Sequence, residues 1–327
     1  MKLAIALDEA LARATPRLRE KMEHTINLLR KAEKLALKYS PDGFLLGMSG
    51  GKDSQALFHM AQLAGVKFDP YMSLTGIEPK ETVVFVRRNY PEVRYIRPKI
   101  PFYKLLVKKQ MLPTRTARYC CAVLKEPVGA GRVVLIGIRH QESARRAKRK
   151  EVEISGKKFS GDIAQFFDYQ SAQIEAKLRK KHKNLNHDQF SEPKASEVRC
   201  INGKDSILIS PIIEWLDSDV WELLNDVLQV PHCELYDQGS IRTGCLFCPM
   251  ASPREKAIMR QRYPRVERAY KNAIKELVIK RPQSYNELDP YVKDIDTKVD
   301  HIFDWWVGND TLAKYISEHF VQQHFDF

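Results

Sequence analysis

The chain lacks any apolar run long enough to cross a bilayer, which excludes a helical membrane anchor in this stretch. Its first residues, Met1 to Glu9, break their apolar run at Asp8, too early for a secretory signal, so a cytoplasmic protein is expected. Cysteine is scarce, six in 327 residues. In a reducing compartment these are thiols or metal ligands and not disulfides. Acidic residues fall short of basic ones, 41 against 54, leaving a net charge of +13. That shortfall favours polyanionic partners (nucleotide phosphates, DNA or RNA), with a merely basic surface as the alternative. Internal repeats are absent. The length suits one large or two ordinary domains with a sizeable core.

Two familiar phosphate-binding patterns are also missing. The chain has no G-x-G-x-x-G, and its Gly-Lys pair is followed by Asp53, where a Walker loop needs Ser or Thr. What stands there is Gly47-Met48-Ser49-Gly50-Gly51-Lys52-Asp53-Ser54. It follows an apolar run, residues 44 to 48, that reads as a short buried strand. It precedes a helical stripe of Ala56, Leu57, Met60, Leu63 and Ala64. Strand, glycine turn and helix together aim backbone N–H groups and a helix N-terminus at one point. Gly50 and Gly51 permit positive φ and close approach of an anion. Lys52 adds a mobile charge, and Ser49 and Ser54 add hydroxyl donors. The expectation is a phosphate cradle; a solvated glycine loop is the bland alternative.

The rest alternates. Residues 1–42 form a helical segment, with Met22, Ile26, Leu29, Ala32 and Leu35 at helical spacing. Strands are expected at 68–74, 94–97, 133–138 and 207–213, with helices between, near 79–89 and 103–109. That alternation predicts an α/β fold, a parallel twisted sheet with helices on both faces, over residues 43–250. Ligands of such sheets sit beyond the carboxyl ends of the strands, where Ser49, Thr75-Gly76 and Arg139 fall. Residues 146–204 read as a basic insertion, helical around 170–183, with a solvated linker or a nucleic-acid patch as its role. Ser252-Pro253-Arg254-Glu255 is a capping box that opens a helical C-terminal region, 251–327, broken near Arg281-Pro282 and packed by Phe303, Trp305 and Trp306.

The cysteines come as Cys120-Cys121 and Cys245-Leu246-Phe247-Cys248. Four thiolates in two close pairs suit a zinc ion or an iron–sulfur cluster. Adjacent cysteines are awkward for tetrahedral structural zinc, which points to [4Fe–4S]; buried thiols, or a redox dithiol at Cys245 and Cys248, are the alternatives. Cys200 and Cys233 stand alone and read as ordinary thiols, with nothing in the spacing to select either as a persulfide carrier.

In order, Ser-Gly-Gly-Lys-Asp-Ser at 49–54, Ser73-Leu74-Thr75-Gly76, Arg118-Tyr119-Cys120-Cys121 with Leu124-Lys125-Glu126-Pro127, and Gly137-Ile138-Arg139 with Glu142-Ser143 and Arg145-Arg146 resemble the PAPS-reductase-domain family of PP-loop, adenine nucleotide α-hydrolase-like proteins. Pro211 to Trp215 and Tyr236 to Cys245 complete the series. The resemblance implies nucleotide binding at Ser49, Gly50, Gly51, Lys52, Asp53, Ser54, Thr75, Gly76, Arg139 and Arg145. It implies catalysis by Lys52, Asp53 and Arg139, and a [4Fe–4S] cluster on Cys120, Cys121, Cys245 and Cys248. Family reductases carry a catalytic cysteine in a C-terminal Glu-Cys-Gly-type motif, and no cysteine follows Cys248 here. The nearest resemblance is therefore to the ATP pyrophosphatase of DNA phosphorothioation. That implies ATP with Mg²⁺, a cysteine desulfurase partner, and adenylation of a DNA backbone phosphate for sulfur incorporation. A sulfonucleotide reductase acting on APS or PAPS, and a non-catalytic nucleic-acid-binding module, are the other readings.

Overall fold

The computed structural model describes residues 3–156, 158–183, 201, 204–308 and 310–321. Cys200 and most of the second half of the basic insertion lie outside the described residues. In chain order the strands are β1 (Phe44–Gly47), β2 (Phe68–Ser73), β3 (Arg94–Ile96), β4 (Val133–Leu135), β5 (Val152–Ile154), β6 (Phe159–Gly161) and β7 (Ile207–Ile209). The helices are α1 (Leu7–Arg13), α2 (Pro16–Tyr39), α3 (Lys52–Ala64), α4 (Lys80–Asn89), α5 (Phe102–Lys109), α6 (Tyr119–Leu124), α7 (Ile163–Lys183), α8 (Asp217–Trp221), α9 (Pro253–Arg262), α10 (Pro264–Lys280), α11 (Ile295–Gly308) and α12 (Leu312–Ile316). Two compact units share the chain. The first combines Met1–Met72, Lys80–Ile96 and Pro127–Thr243; the second combines Ser73–Pro79, Arg97–Glu126 and Gly244–Phe327.

The first unit is built on a seven-stranded sheet of order β3-β2-β1-β4-β7-β5-β6. β1 pairs in parallel with β2 and β4, and β4 with β7. Phe44, Leu45, Leu46 and all of β4 are buried, the continuous apolar strands that a sheet covered on both faces requires. α2 opens on Thr15, whose hydroxyl accepts from Leu18 N–H, with Pro16 at the first helical position. Its stripe of Leu18, Met22, Ile26, Leu29 and Ala32 is fully or almost fully buried, and the helix packs on α3.

The expected parallel sheet is extended by a hairpin. β5 and β6 run antiparallel to each other, and β5 runs antiparallel to β7, so the sheet is mixed at this edge. The hairpin lies inside the segment read as an insertion. Val152 and Ile154 point inward and Glu153 outward, and Gly156 turns the chain at φ +78°. Basic neighbours obscure that three-residue alternation. α7 likewise starts at Ile163, before the expected 170, because Phe166 anchors its first turns in the core.

The second unit has its own aromatic core. Tyr270 of α10 is enclosed by Phe102 and Tyr103 of α5, by Phe247, and by Trp306 of α11, at ring-centre distances of 5.1–5.5 Å. Offset and edge-on aromatic contacts of this kind add to plain burial. The capping box forms: Ser252 Oγ accepts from Glu255 N–H at 3.2 Å, and Glu255 accepts from Ser252 N–H at 2.7 Å. Phe303 and Trp306 are buried as expected, and α10 ends before Pro282.

Candidate functional site

From β1 the chain steps outward to β2 and β3, then returns to place β4 on the opposite side of β1. That reversal parts the connections leaving the carboxyl ends of β1 and β4, the place where open α/β sheets make room for ligands. Residues 48–51 leave β1 there, and residues 136–139 leave β4.

The first connection is shaped by glycine. Gly50 holds φ +76°, and a Cβ there would lie 2.6 Å from Thr82 Cγ2, so only glycine fits without displacement. The Gly50 and Gly51 N–H groups donate to none of the described residues, and the first-turn amides of α3 have no partner within the helix. Ser54 Oγ donates to Gly51 O at 2.8 Å and accepts from Ser49 N–H at 3.2 Å, which fixes the turn. Gly137 brings the second connection against α3: a Cβ there would meet Asp53 O at 2.8 Å.

The charged groups are held, not loose. Lys52 was expected to be mobile but is 3% exposed. Its Nζ lies 3.1 Å from Asp217 Oδ1 and 3.1 Å from Ile241 O, over the faces of Tyr236 and Trp221. Its N–H donates to Tyr236 Oη at 2.9 Å. Arg139, also 3% exposed, donates from Nε to Asp53 Oδ1 at 2.6 Å and from Nη2 to Asp217 Oδ1 at 2.8 Å. Burial pushes the Asp53 carboxyl above its ordinary range, and Arg139 and Lys52 pull it back in part. Arg145 is exposed, with no ion pair among the described residues. Asp217, Trp221 and Tyr236 were missed as site residues. An acidic residue opening a helix reads as a cap, and an isolated aromatic reads as core.

Thr75 and Gly76 belong to the second unit. Their N–H groups donate to Glu78 Oε2 at 2.9 and 3.1 Å. The same unit gathers the four paired cysteines. Cys120 and Cys121 lie on α6. Cys245 and Cys248 flank a turn in which Phe247, fully buried, takes φ +53°, a conformation costly for a bulky side chain and typical of constrained sites. Lys125 Nζ lies 3.1 Å from Cys245 Sγ and 3.6 Å from Glu78, and Arg118 Nη2 lies 3.7 Å from Cys121 Sγ. A hydrogen bond from Cys120 draws the Cys121 thiol below its ordinary value, with Arg118 assisting; burial holds Cys245 above its ordinary value. Among the described residues no three Cys, His, Asp or Glu side chains converge as they would around a single ion. Two of the four thiols, Cys245 and Cys121, each face a cation, a charge environment suited to an anionic thiolate-held cluster. Cys233, in the first unit, is fully buried 3.9 Å from Thr82 Oγ1, with its thiol pushed up by burial. No helix among the described residues is long and apolar enough to cross a membrane.

Residues 44–251 match the family described as Phosphoadenosine phosphosulfate reductase domain. An uncharacterised protein of Methanocaldococcus jannaschii is 24% identical, over 76% of this chain and 53% of its own length. A Caenorhabditis elegans protein named "Probable FAD synthase" is 23% identical, over 69% of this chain and 35% of its own. The chain thus spans about half or less of the curated relatives it matches. Among solved structures, Candida glabrata FMN adenylyltransferase in complex with FAD and inorganic pyrophosphate superposes with a TM-score of 0.42 at 13% identity, covering 73% of this chain and 69% of that one. Candida auris phosphoadenylyl-sulfate reductase gives 0.35 at 16% identity, covering 70% and 96%.

Proposed function

Because the chain belongs to the phosphoadenosine phosphosulfate reductase domain family, we propose that it is an adenine-nucleotide enzyme that cleaves ATP between its α and β phosphates. One observation carries this reading: the positive-φ turn at Gly50, the N-terminus of α3, Lys52 and Arg139 meet where the strand order reverses. An acceptor oxygen attacks the α-phosphorus, the bond to the bridging oxygen breaks, and pyrophosphate leaves with the electron pair. Backbone N–H groups of the turn and the Lys52 ammonium offset the charge gathering on that leaving group. Arg139 fixes the Asp53 carboxylate and ties the β4 connection to α3, so the reacting groups are held in register. Mg²⁺ arriving with ATP supplies further charge neutralisation.

The finer reading follows the sequence resemblance: the acceptor is a DNA backbone phosphate, and a cysteine desulfurase supplies the sulfur. A [4Fe–4S] cluster would be held by Cys120, Cys121, Cys245 and Cys248, with Lys125 and Arg118 offsetting its negative charge; when bound it supplies structure, electrons or a sulfur-handling centre. Reduction of a sulfonucleotide needs an accessible nucleophilic thiol. The buried Cys233, its proton held more tightly than usual, is poorly suited to that task.

The test uses anaerobically reconstituted protein, labelled ATP, DNA and a cysteine desulfurase. Pyrophosphate release is expected, and Lys52→Ala is expected to reduce it by about 100-fold or more. Absence of both nucleotide binding and pyrophosphate release rejects the reading. About four irons per chain and broad visible absorbance are expected; a colourless, zinc-loaded protein rejects the cluster.

A further inference from the structure

The buried Lys52 ammonium has a specific anion beside it. Of its contacts, Ile241 O is a neutral carbonyl and Tyr236 and Trp221 present ring faces; Asp217 Oδ1, at 3.1 Å, brings the negative charge. Burying a cation at 3% exposure demands such a partner. The neighbouring carboxylate, Asp53, is held by Arg139 Nε at 2.6 Å. Asp217 differs from the others in where it stands. It is the first residue of α8, and its side chain is 43% exposed, against 3% for Lys52 and Arg139. Its N–H is anchored to Gln141 Oε1 at 2.7 Å, so the backbone stays in place if the carboxylate turns to solvent.

We infer that Asp217 is a resident counter-ion of the cradle, which an incoming phosphate chain must displace from Lys52. This rests on the nucleotide reading above and adds a residue that tunes affinity. A phosphate oxygen within reach of Lys52 Nζ would also stand beside Asp217 Oδ1. Two anions held against one cation repel, so the carboxylate at the solvent edge yields. Arg139 stays fixed through the exchange, because Asp53 still holds its Nε. A chain of two or three phosphates makes enough contacts to offset the loss of the Asp217 pair; a lone phosphate makes fewer. Asp217 therefore acts as a competitor that lowers the cradle's affinity for every anion needing Lys52, and a phosphate chain has contacts enough to overcome it.

Titration calorimetry with inorganic pyrophosphate and inorganic phosphate, with and without Mg²⁺, tests this on the full chain. Asp217→Asn keeps the side-chain shape and removes the charge. It is expected to bind pyrophosphate about fivefold more tightly, and phosphate by a similar factor, because both must displace the same carboxylate. Asp217→Glu keeps the charge and is expected to give no tightening, which separates electrostatics from a change in packing. Equal or weaker pyrophosphate binding by Asp217→Asn overturns the inference. Weaker binding confined to the Mg²⁺ arm also overturns it, by making Asp217 a metal ligand. The nucleotide reading fails on a different result, the loss of ATP binding and pyrophosphate release by the unmodified chain.

Discussion

His59 shows how much one residue depends on its surroundings. It lies fully buried on α3, with Nδ1 3.0 Å from Gln62 Oε1 and Nε2 3.0 Å from Tyr90 Oη. Burial lowers its pKa to about 4 from the ordinary 6.5. The folded state therefore binds this proton less readily than the unfolded chain. The stability it contributes is complete above pH 6.5 and is lost as pH falls from there toward 4. His59→Gln should reduce the acid-induced loss of stability between pH 7 and 4.5 by about 2–3 kcal/mol. Urea midpoints of both proteins at the two pH values check this; an unchanged difference rejects it. Sequence reading places His59 on the right helix, and Lys52, Asp53 and Ser54 at its start. It does not reveal that Lys52 is immobilised, because the groups that hold it, Asp217 and Ile241 O, are more than 160 residues away in the chain.

At the level of elements, the close approach between the β4 connection and α3 depends on Gly137. Alanine there would drive a Cβ into backbone: Asp53 O at 2.8 Å and Asp53 C at 3.0 Å. Backbone cannot swing aside as a side-chain tip can. Gly137→Ala should cost about 1–3 kcal/mol of stability and weaken nucleotide binding by moving Arg139 relative to Asp53. Thermal melts and ATP titration of the variant measure the two effects, and an unaltered protein in both rejects the account. The elements legible from sequence were the periodic ones: the α2 stripe, the strand–turn–helix of 44–64, and the Ser252 capping box. The β5–β6 hairpin was not legible, since three-residue strands carry too short an alternation to stand out beside a basic run. Sheet pairing, not local preference, makes them strands.

The whole molecule shows two cores built from interleaved stretches of chain. The cysteine turn of the second unit rests on Tyr270, whose hydroxyl donates to Leu246 O at 3.0 Å between Cys245 and Cys248. Tyr270→Ala should destabilise this unit by about 3–5 kcal/mol and lower retention of the proposed cluster's iron, because the turn loses both its floor and a hydrogen bond. Calorimetry and iron content after anaerobic reconstitution check it; full iron content in the variant rejects the coupling. Sequence by itself determined the α/β class, the glycine turn after β1 and the two cysteine pairs, because each is written in neighbouring residues and their spacing. Tertiary structure decided that Lys52 and Arg139 are clamped by Asp53 and Asp217, that the Thr75 and Gly76 amides serve Glu78, and that the cysteines share a unit with the C-terminal helices. The ion pairs join residues far apart in the chain, and even the local Glu78 contacts depend on the turn the fold imposes, so only the packed structure sets the distances on which charge and hydrogen bonding depend.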